Sequence, residues 1–122
     1  MSTQEIANRL VALCREGKFE QAIQELYAPE IVSVEPVGAP VERVQGFEAL
    51  AEKAKAFGEM IAETHGSSVS DPIVADNFFS CSMTMDVTFK DGPRVNMEEI
   101  CLYQVKDGKV IKEEFFFTPM QG

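Results

Sequence analysis

From Phe78 to Phe89 apolar and polar residues alternate without a break. Phe79, Cys81, Met83, Met85, Val87 and Phe89 fall on one side, and Ser80, Ser82, Thr84, Asp86 and Thr88 on the other. An extended strand turns that pattern into one covered and one open face, whereas a helix would scatter the same residues around its circumference. A strand this long needs partners on either side. Asp91-Gly92 and Asp107-Gly108 announce them, since both dipeptides tolerate the positive φ of tight hairpins. The expected strands therefore run over 78–89, 94–106 and 109–117.

A three-residue loop at Asp91-Gly92-Pro93 would pair Phe89 with Val95, Val87 with Met97, Met85 with Glu99, Met83 with Cys101, Cys81 with Tyr103 and Phe79 with Val105. That face is apolar or weakly polar except for Glu99, while a register shifted by one would mix Phe and Met with Asn96, Glu98 and Gln104. Glu99 is thus expected on the apolar side. Pairing continued through the Lys106–Lys109 turn puts Val110, Lys112, Glu114 and Phe116 on the Glu99 face, with Ile111, Glu113, Phe115 and Phe117 opposite. Three consecutive phenylalanines require cover on both faces of the last strand. Helices can supply one cover, and a second copy of the chain, packed sheet to sheet, is the simplest source of the other.

The first half of the chain reads as helices around one short strand. Ser2 and Glu5 have capping-box spacing, and Ile6, Leu10, Leu13 and Cys14 share one helical face until Gly17. Phe19, Ala22, Ile23, Leu26 and Tyr27 make a second apolar face, ended at Pro29. Ile31, Val32 and Val34 form a short strand that delivers Glu35 to a turn at Pro36-Val37-Gly38. A third helix starts at Gly46, with Phe47, Leu50, Ala54, Phe57 and Ile61 inward and Glu48, Glu52, Lys55 and Glu59 outward. After His65 the chain reads as antiparallel sheet, with a strand over 65–75 in which Pro72 marks a bulge or an edge.

Composition narrows the function classes. At 122 residues the chain is a single domain with room for one core. Eleven basic against 20 acidic residues give a net charge of −9, which argues against nucleic acid, because phosphate binding needs a basic face. No basic-then-apolar leader opens the chain, and no apolar run approaches the roughly 20 residues of a membrane span. Cys14, Cys81 and Cys101 are widely spaced in apolar surroundings and read as buried thiols, which suits a cytoplasmic location. One histidine and scattered carboxylates offer no metal ligand set, and neither a phosphate-binding loop nor a GxSxG elbow is present.

Helix, helix, short strand, helix, then antiparallel strands is an order that resembles the NTF2-like α+β cone. The residues that carry the likeness are Tyr27-Ala28-Pro29-Glu30-Ile31-Val32-Ser33-Val34-Glu35-Pro36, Gly46-Phe47-Glu48-Ala49-Leu50 and Tyr103-Gln104-Val105-Lys106-Asp107-Gly108-Lys109-Val110-Ile111. The last is similar to the hairpin that closes SnoaL-like members. The resemblance implies three helices packed on a strongly curved, mixed but mainly antiparallel sheet. It also implies a small-molecule cavity at the open end. Ketosteroid isomerases of this superfamily carry their base in a VEDPVG segment, and Val34-Glu35-Pro36-Val37-Gly38 occupies the same place, which puts Glu35 on the base. The isomerase's tyrosine donor on the first helix corresponds to the neighbourhood of Val11, where no tyrosine stands. Its acidic donor falls near Cys101, with Glu99 two residues away on the same face. One of three roles carries over, so steroid isomerisation itself is not expected.

The candidate site therefore centres on Glu35 as a general base, with Glu99 and His65 as groups that donate or shuttle a proton. Each has a plainer alternative: Glu35 as a solvated turn cap, Glu99 returned to solvent by a bulge, His65 as a surface hydrogen-bonding residue. Tyr27, Phe57, Met60, Met83, Met85, Met97, Cys101, Glu114 and Phe116 are the expected lining, though any one of them also fits as core or as exposed sheet. The expectation is a cofactor-independent isomerase, cyclase or dehydratase acting on a small, largely apolar carbonyl compound. A module that binds such a molecule without converting it is the alternative.

Overall fold

The computed structural model describes residues Met1 to Pro119. Three helices, α1 (Thr3–Arg15), α2 (Phe19–Leu26) and α3 (Phe47–Glu59), pack on one curved sheet that does not close on itself. The strands are β1 (Tyr27–Val34), β2 (Arg43–Gln45), β3 (Ile61–Val69), β4 (Ile73–Ala75), β5 (Phe78–Phe89), β6 (Arg94–Lys106) and β7 (Lys109–Phe116). Their order across the sheet is β2-β1-β7-β6-β5-β3, with β4 also on β5; β1 and β7 run parallel and the other pairs antiparallel. Among the described residues no helix is long and apolar enough to cross a membrane.

Helix α1 forms as its sequence prescribes. The Ser2 hydroxyl accepts from the Glu5 N–H at 3.1 Å, and the Glu5 carboxylate accepts from the Ser2 N–H at 2.9 Å. Two orphan donors are thereby satisfied, and Ile6, Leu10, Val11 and Leu13 lie buried on the sheet. Tyr27 departs from the helical reading. It stands in the extended region, caps α2 by donating its N–H to the Ile23 carbonyl, and opens β1. Pro29 falls within the stretch where the β1–β7 register slips, between Tyr27 and Val32, which is where a strand can hold a residue without an N–H. The expected 65–75 strand is instead two strands. Both pair with β5, and the break at Asp71-Pro72 is tied to the end of α1 through Arg15, which bonds the Val69 carbonyl and the Asp71 carboxylate.

Two register findings decide which side chains face inward. The loop between β5 and β6 is Lys90-Asp91-Gly92, closed by the Phe89 N–H donating to the Pro93 carbonyl at 3.4 Å. Cys81 therefore faces Cys101, Phe79 faces Tyr103, and Glu99 faces Met83. Moving the loop by one position shifts the pairing by two, so every β6 side chain keeps its expected face. The next hairpin behaves differently. Val105 pairs with Val110 but Gln104 pairs with Lys112, leaving Ile111 as an extra residue on β7. This bulge inverts the strand beyond it. Glu113 and Phe115 turn inward beside Tyr103 and Cys101, while Lys112, Glu114 and Phe116 turn outward beside Gln104, Leu102 and Ile100, which corrects the expected face of each.

The two Asp-Gly corners also differ. Asp107 (φ 51°) and Gly108 (φ 76°) both take the left-handed conformation of a tight hairpin, whereas Asp91 and Gly92 do not. A Cβ at Gly108 would meet nothing closer than 3.8 Å, and one at Gly92 only the Phe89 Cβ at 3.5 Å. The difference lies in the backbone alone. Gly108→Ala should lower stability by about 1–2 kcal/mol and Gly92→Ala by no more than about 0.5 kcal/mol, as read from denaturant midpoints of the two variants.

Candidate active site

On the concave face a row of polar side chains crosses from β7 through β1 to α3. Its deepest member is Glu113, buried at 5% exposure and carried inward by the bulge at Ile111. The Tyr27 hydroxyl donates to one of its oxygens and the Ser33 hydroxyl to the other, the latter at 2.7 Å. Ser33 is itself buried, directly across the parallel β1–β7 pair from Glu113. Its oxygen accepts from Lys53 Nζ at 3.1 Å, and the same Nζ stands 3.3 Å from Glu35 Oε2 and 5.3 Å from the centre of the Phe115 ring. Burial pushes the Glu113 carboxyl up from its ordinary value despite two hydroxyl donors and the nearby Lys53 charge. Burial and the Glu113 charge push the Tyr27 hydroxyl well above its own.

Glu99 sits on the same face, between Met97 and Cys101 along β6 and opposite Met83 on β5. Burial raises its carboxyl from the ordinary 4.5 to about 7. The thiol of Cys101, at 3.7 Å, works against that rise, the charges of Glu35 and Glu113 add to it, and Lys53 opposes it. Glu99 is thus within electrostatic reach of the Glu35–Lys53 pair. Cys14, Cys81 and Cys101 are buried free thiols; burial raises Cys14 to about 12.

The sequence-derived candidates separate into two groups. Glu35, Glu99, Tyr27, Cys101, Met83, Met85 and Met97 lie on the concave side of the sheet or at its edge. Phe57 and Met60, at the end of α3, are 37% and 53% exposed, with Phe57 edge-on to Phe89 at 6.4 Å. His65 is not brought to Glu35 or Glu99: its Nε2 lies 2.7 Å from Thr88 Oγ1, beside the Asp86–Arg94 pair on the opposite face, and its Nδ1 is 3.9 Å from the Glu63 carboxylate. Glu114 and Phe116 also belong to that outer face, where they border two shallow clefts of about 130 and 280 Å³.

Three members of the polar row were not singled out by sequence. Lys53 lies three residues after Leu50 and four before Phe57, inside the apolar stripe of α3, so a charge in that stripe was the available signal. The stripe uses Lys53 where Ala54 was expected, and Ala54 is exposed. Ser33 alternates inward with Ile31 and Glu35 along β1. Glu113 had no local signal, because only the bulge distinguishes it from Glu114. Among the described residues no three His, Cys, Asp or Glu side chains gather as a metal site.

The SnoaL-like domain family matches residues 1–117, and the chain belongs to this family. A protein of Mesorhizobium loti, named as a SnoaL-like polyketide cyclase and in the same name as a carbohydrate phosphatase, is 36% identical. The match covers 96% of this chain and 100% of that one, at a TM-score of 0.90. An NTF2-like protein of unknown function from Burkholderia pseudomallei is 16% identical over 97% and 92% of the two chains, at a TM-score of 0.78. A Bacillus subtilis structure named as an isomerase is 18% identical over 98% and 91%, at 0.70. The latter two share the fold. No curated protein matches the chain.

The Glu99 carboxyl generates a pH prediction. Its folded value of about 7 lies above the ordinary 4.5, so the folded protein binds more protons than the unfolded chain between those limits. Its contribution to stability is therefore complete below about 4.5 and is lost as pH rises through about 7. Glu99→Gln should flatten the stability–pH curve across that window, measured by urea denaturation at a series of pH values.

Proposed function

We propose that the protein is a cofactor-independent acid–base enzyme that moves a proton on a small, largely apolar carbonyl compound held against the concave face. The observation that carries this reading is Glu99: a carboxyl set among Met83, Met97 and Cys101 whose ionisation is raised to about 7. Such a group holds and releases a proton near neutral pH, which is what an acid–base catalyst requires. Glu35, paired with Lys53, is the second carboxylate and receives or returns the proton at another carbon. Isomerisation, cyclisation and dehydration of a polyketide-like chain share this elementary step, and the polyketide-cyclase name of the Mesorhizobium loti relative is in keeping with it.

The test is exchange of α-hydrogens with solvent deuterium. Small enolisable ketones that stabilise the protein in a thermal-shift screen should exchange in its presence, and Glu99→Gln should slow exchange by about a hundredfold or more while still binding them. The binding-module alternative draws on one fact: among the described residues every buried polar side-chain atom already has a partner. Ligands that stabilise wild type and Glu99→Gln alike and never exchange would establish that alternative.

We further infer that two copies pair through the outer sheet face. Ile100 and Phe116 are neighbours there at 56% and 48% exposure, with Phe78 at 39% and Leu102 beside them. A cluster of this kind is unfavourable in water and is covered most simply by its own copy. Sedimentation should give twice 13.5 kDa, and Ile100→Lys should shift the protein toward monomer. A wild type that sediments as a monomer would refute the pairing.

A further inference from the structure

We propose that Lys53 receives the oxygen that turns negative during the reaction, so that the site selects compounds whose oxygen can carry charge: enolisable ketones, and phenols as their stable mimics. The inference rests on the acid–base reading above and supplies the group that reading lacks. When a C–H proton passes to a carboxylate, the bonding pair moves into the carbonyl and the oxygen takes the charge. A donor must already be aimed at that oxygen, and no proton need leave the donor. Return of the proton to a second carbon moves the pair back and restores both the carboxylate and the carbonyl.

The donor count at Lys53 leaves one place open. An ammonium has three N–H groups. Ser33 Oγ takes one at 3.1 Å, and the Glu35 carboxylate, with Oε2 3.3 Å away, holds the ammonium as an ion pair and can take at most a second. Among the described residues no further oxygen acceptor is bonded to Nζ. Its remaining neighbour is the Phe115 ring at 5.3 Å, a weak substitute for an oxygen. Lys53 and Glu35 keep 18% and 20% side-chain exposure, so both still reach the surface. The other lysines and arginines held in ion pairs lie between 42% and 78%. Lys53 alone among them is drawn off the surface, by its place in the apolar stripe of α3. Partial withdrawal from water strengthens its pull on a developing charge, and its hydrogen bond to Ser33 and ion pair with Glu35 fix its position before a ligand arrives. Glu113, holding Ser33 from behind, acts as a positioning residue.

The experiment compares two probes of the same apolar body, 2-naphthol and naphthalene, by fluorescence titration of the full chain. Wild type should bind 2-naphthol about tenfold or more tightly, the scale of one charge-assisted hydrogen bond. Bound naphthol should ionise at a lower pH than free naphthol. Lys53→Met should keep naphthalene affinity and lose both the preference and the ionisation shift, while Lys53→Arg should keep them. In wild type, saturating 2-naphthol but not naphthalene should slow acylation of the Lys53 amine by acetic anhydride, read by peptide mass spectrometry, which requires no variant to fold. If both probes bind but the preference survives Lys53→Met, or both protect Lys53 equally, the Lys53 assignment is overturned and the acid–base reading stands. If neither probe binds wild type, the apolar site is absent and both readings fall.

Discussion

The carboxyl of Glu113, gripped by the hydroxyls of Tyr27 and Ser33, is the interaction on which the rest of the structure depends. It joins the one parallel seam of the sheet, β1 to β7, from the inside. A carboxyl this deep is costly unless its oxygens are bonded, and leaving one of its donors out would strand a buried polar group. The bond therefore does two things at once. It fixes the parity of β7 beyond the bulge, and it holds the start of β1 where α2 ends. The same seam attaches β1 and β2, which lie against α3, to the rest of the sheet.

From that anchor the polar row extends to the site by ordinary hydrogen-bond logic. Ser33 donates to Glu113 and accepts from Lys53, and Lys53 meets Glu35. Each group is oriented by the one behind it, from β1 and β7 out to Glu35 just past the end of β1. Glu99 stands apart on β6, accepting from the Cys101 thiol, with methionines around it. One carboxylate is thus paired with a cation and the other is set in apolar surroundings, a division that suits two steps of one proton transfer.

How much of this was legible can be judged strand by strand. The alternation of 78–89 fixed the inward face of β5. The expected β5–β6 loop was one residue late, yet Glu99 stayed inside, because an even shift preserves the face. For β7 the same reasoning failed by a single residue. Lys112-Glu113-Glu114-Phe115-Phe116 reads equally well in either parity, with one glutamate and one phenylalanine inward whichever is chosen. The bulge at Ile111 made the choice, and no local residue announces it. His65 was placed near the carboxylates by its position between helix and sheet, but the register of β3 on β5 turns it to Thr88.

The sequence by itself determined the order of the three helices and the long strands, the membership of β5 and β6 in an antiparallel sheet, the cap of α1, and the inward face of Glu99. These depend on periodicity and short-range chemistry, which a chain carries in its own residue order. Tertiary structure alone decided that Glu113 is buried, that Ser33 and Lys53 link it to Glu35, and that His65, Glu114 and Phe116 face the other way. Those outcomes rest on the parity of strands whose local patterns are ambiguous, and parity is settled by which buried carboxyl can find its donors across the sheet.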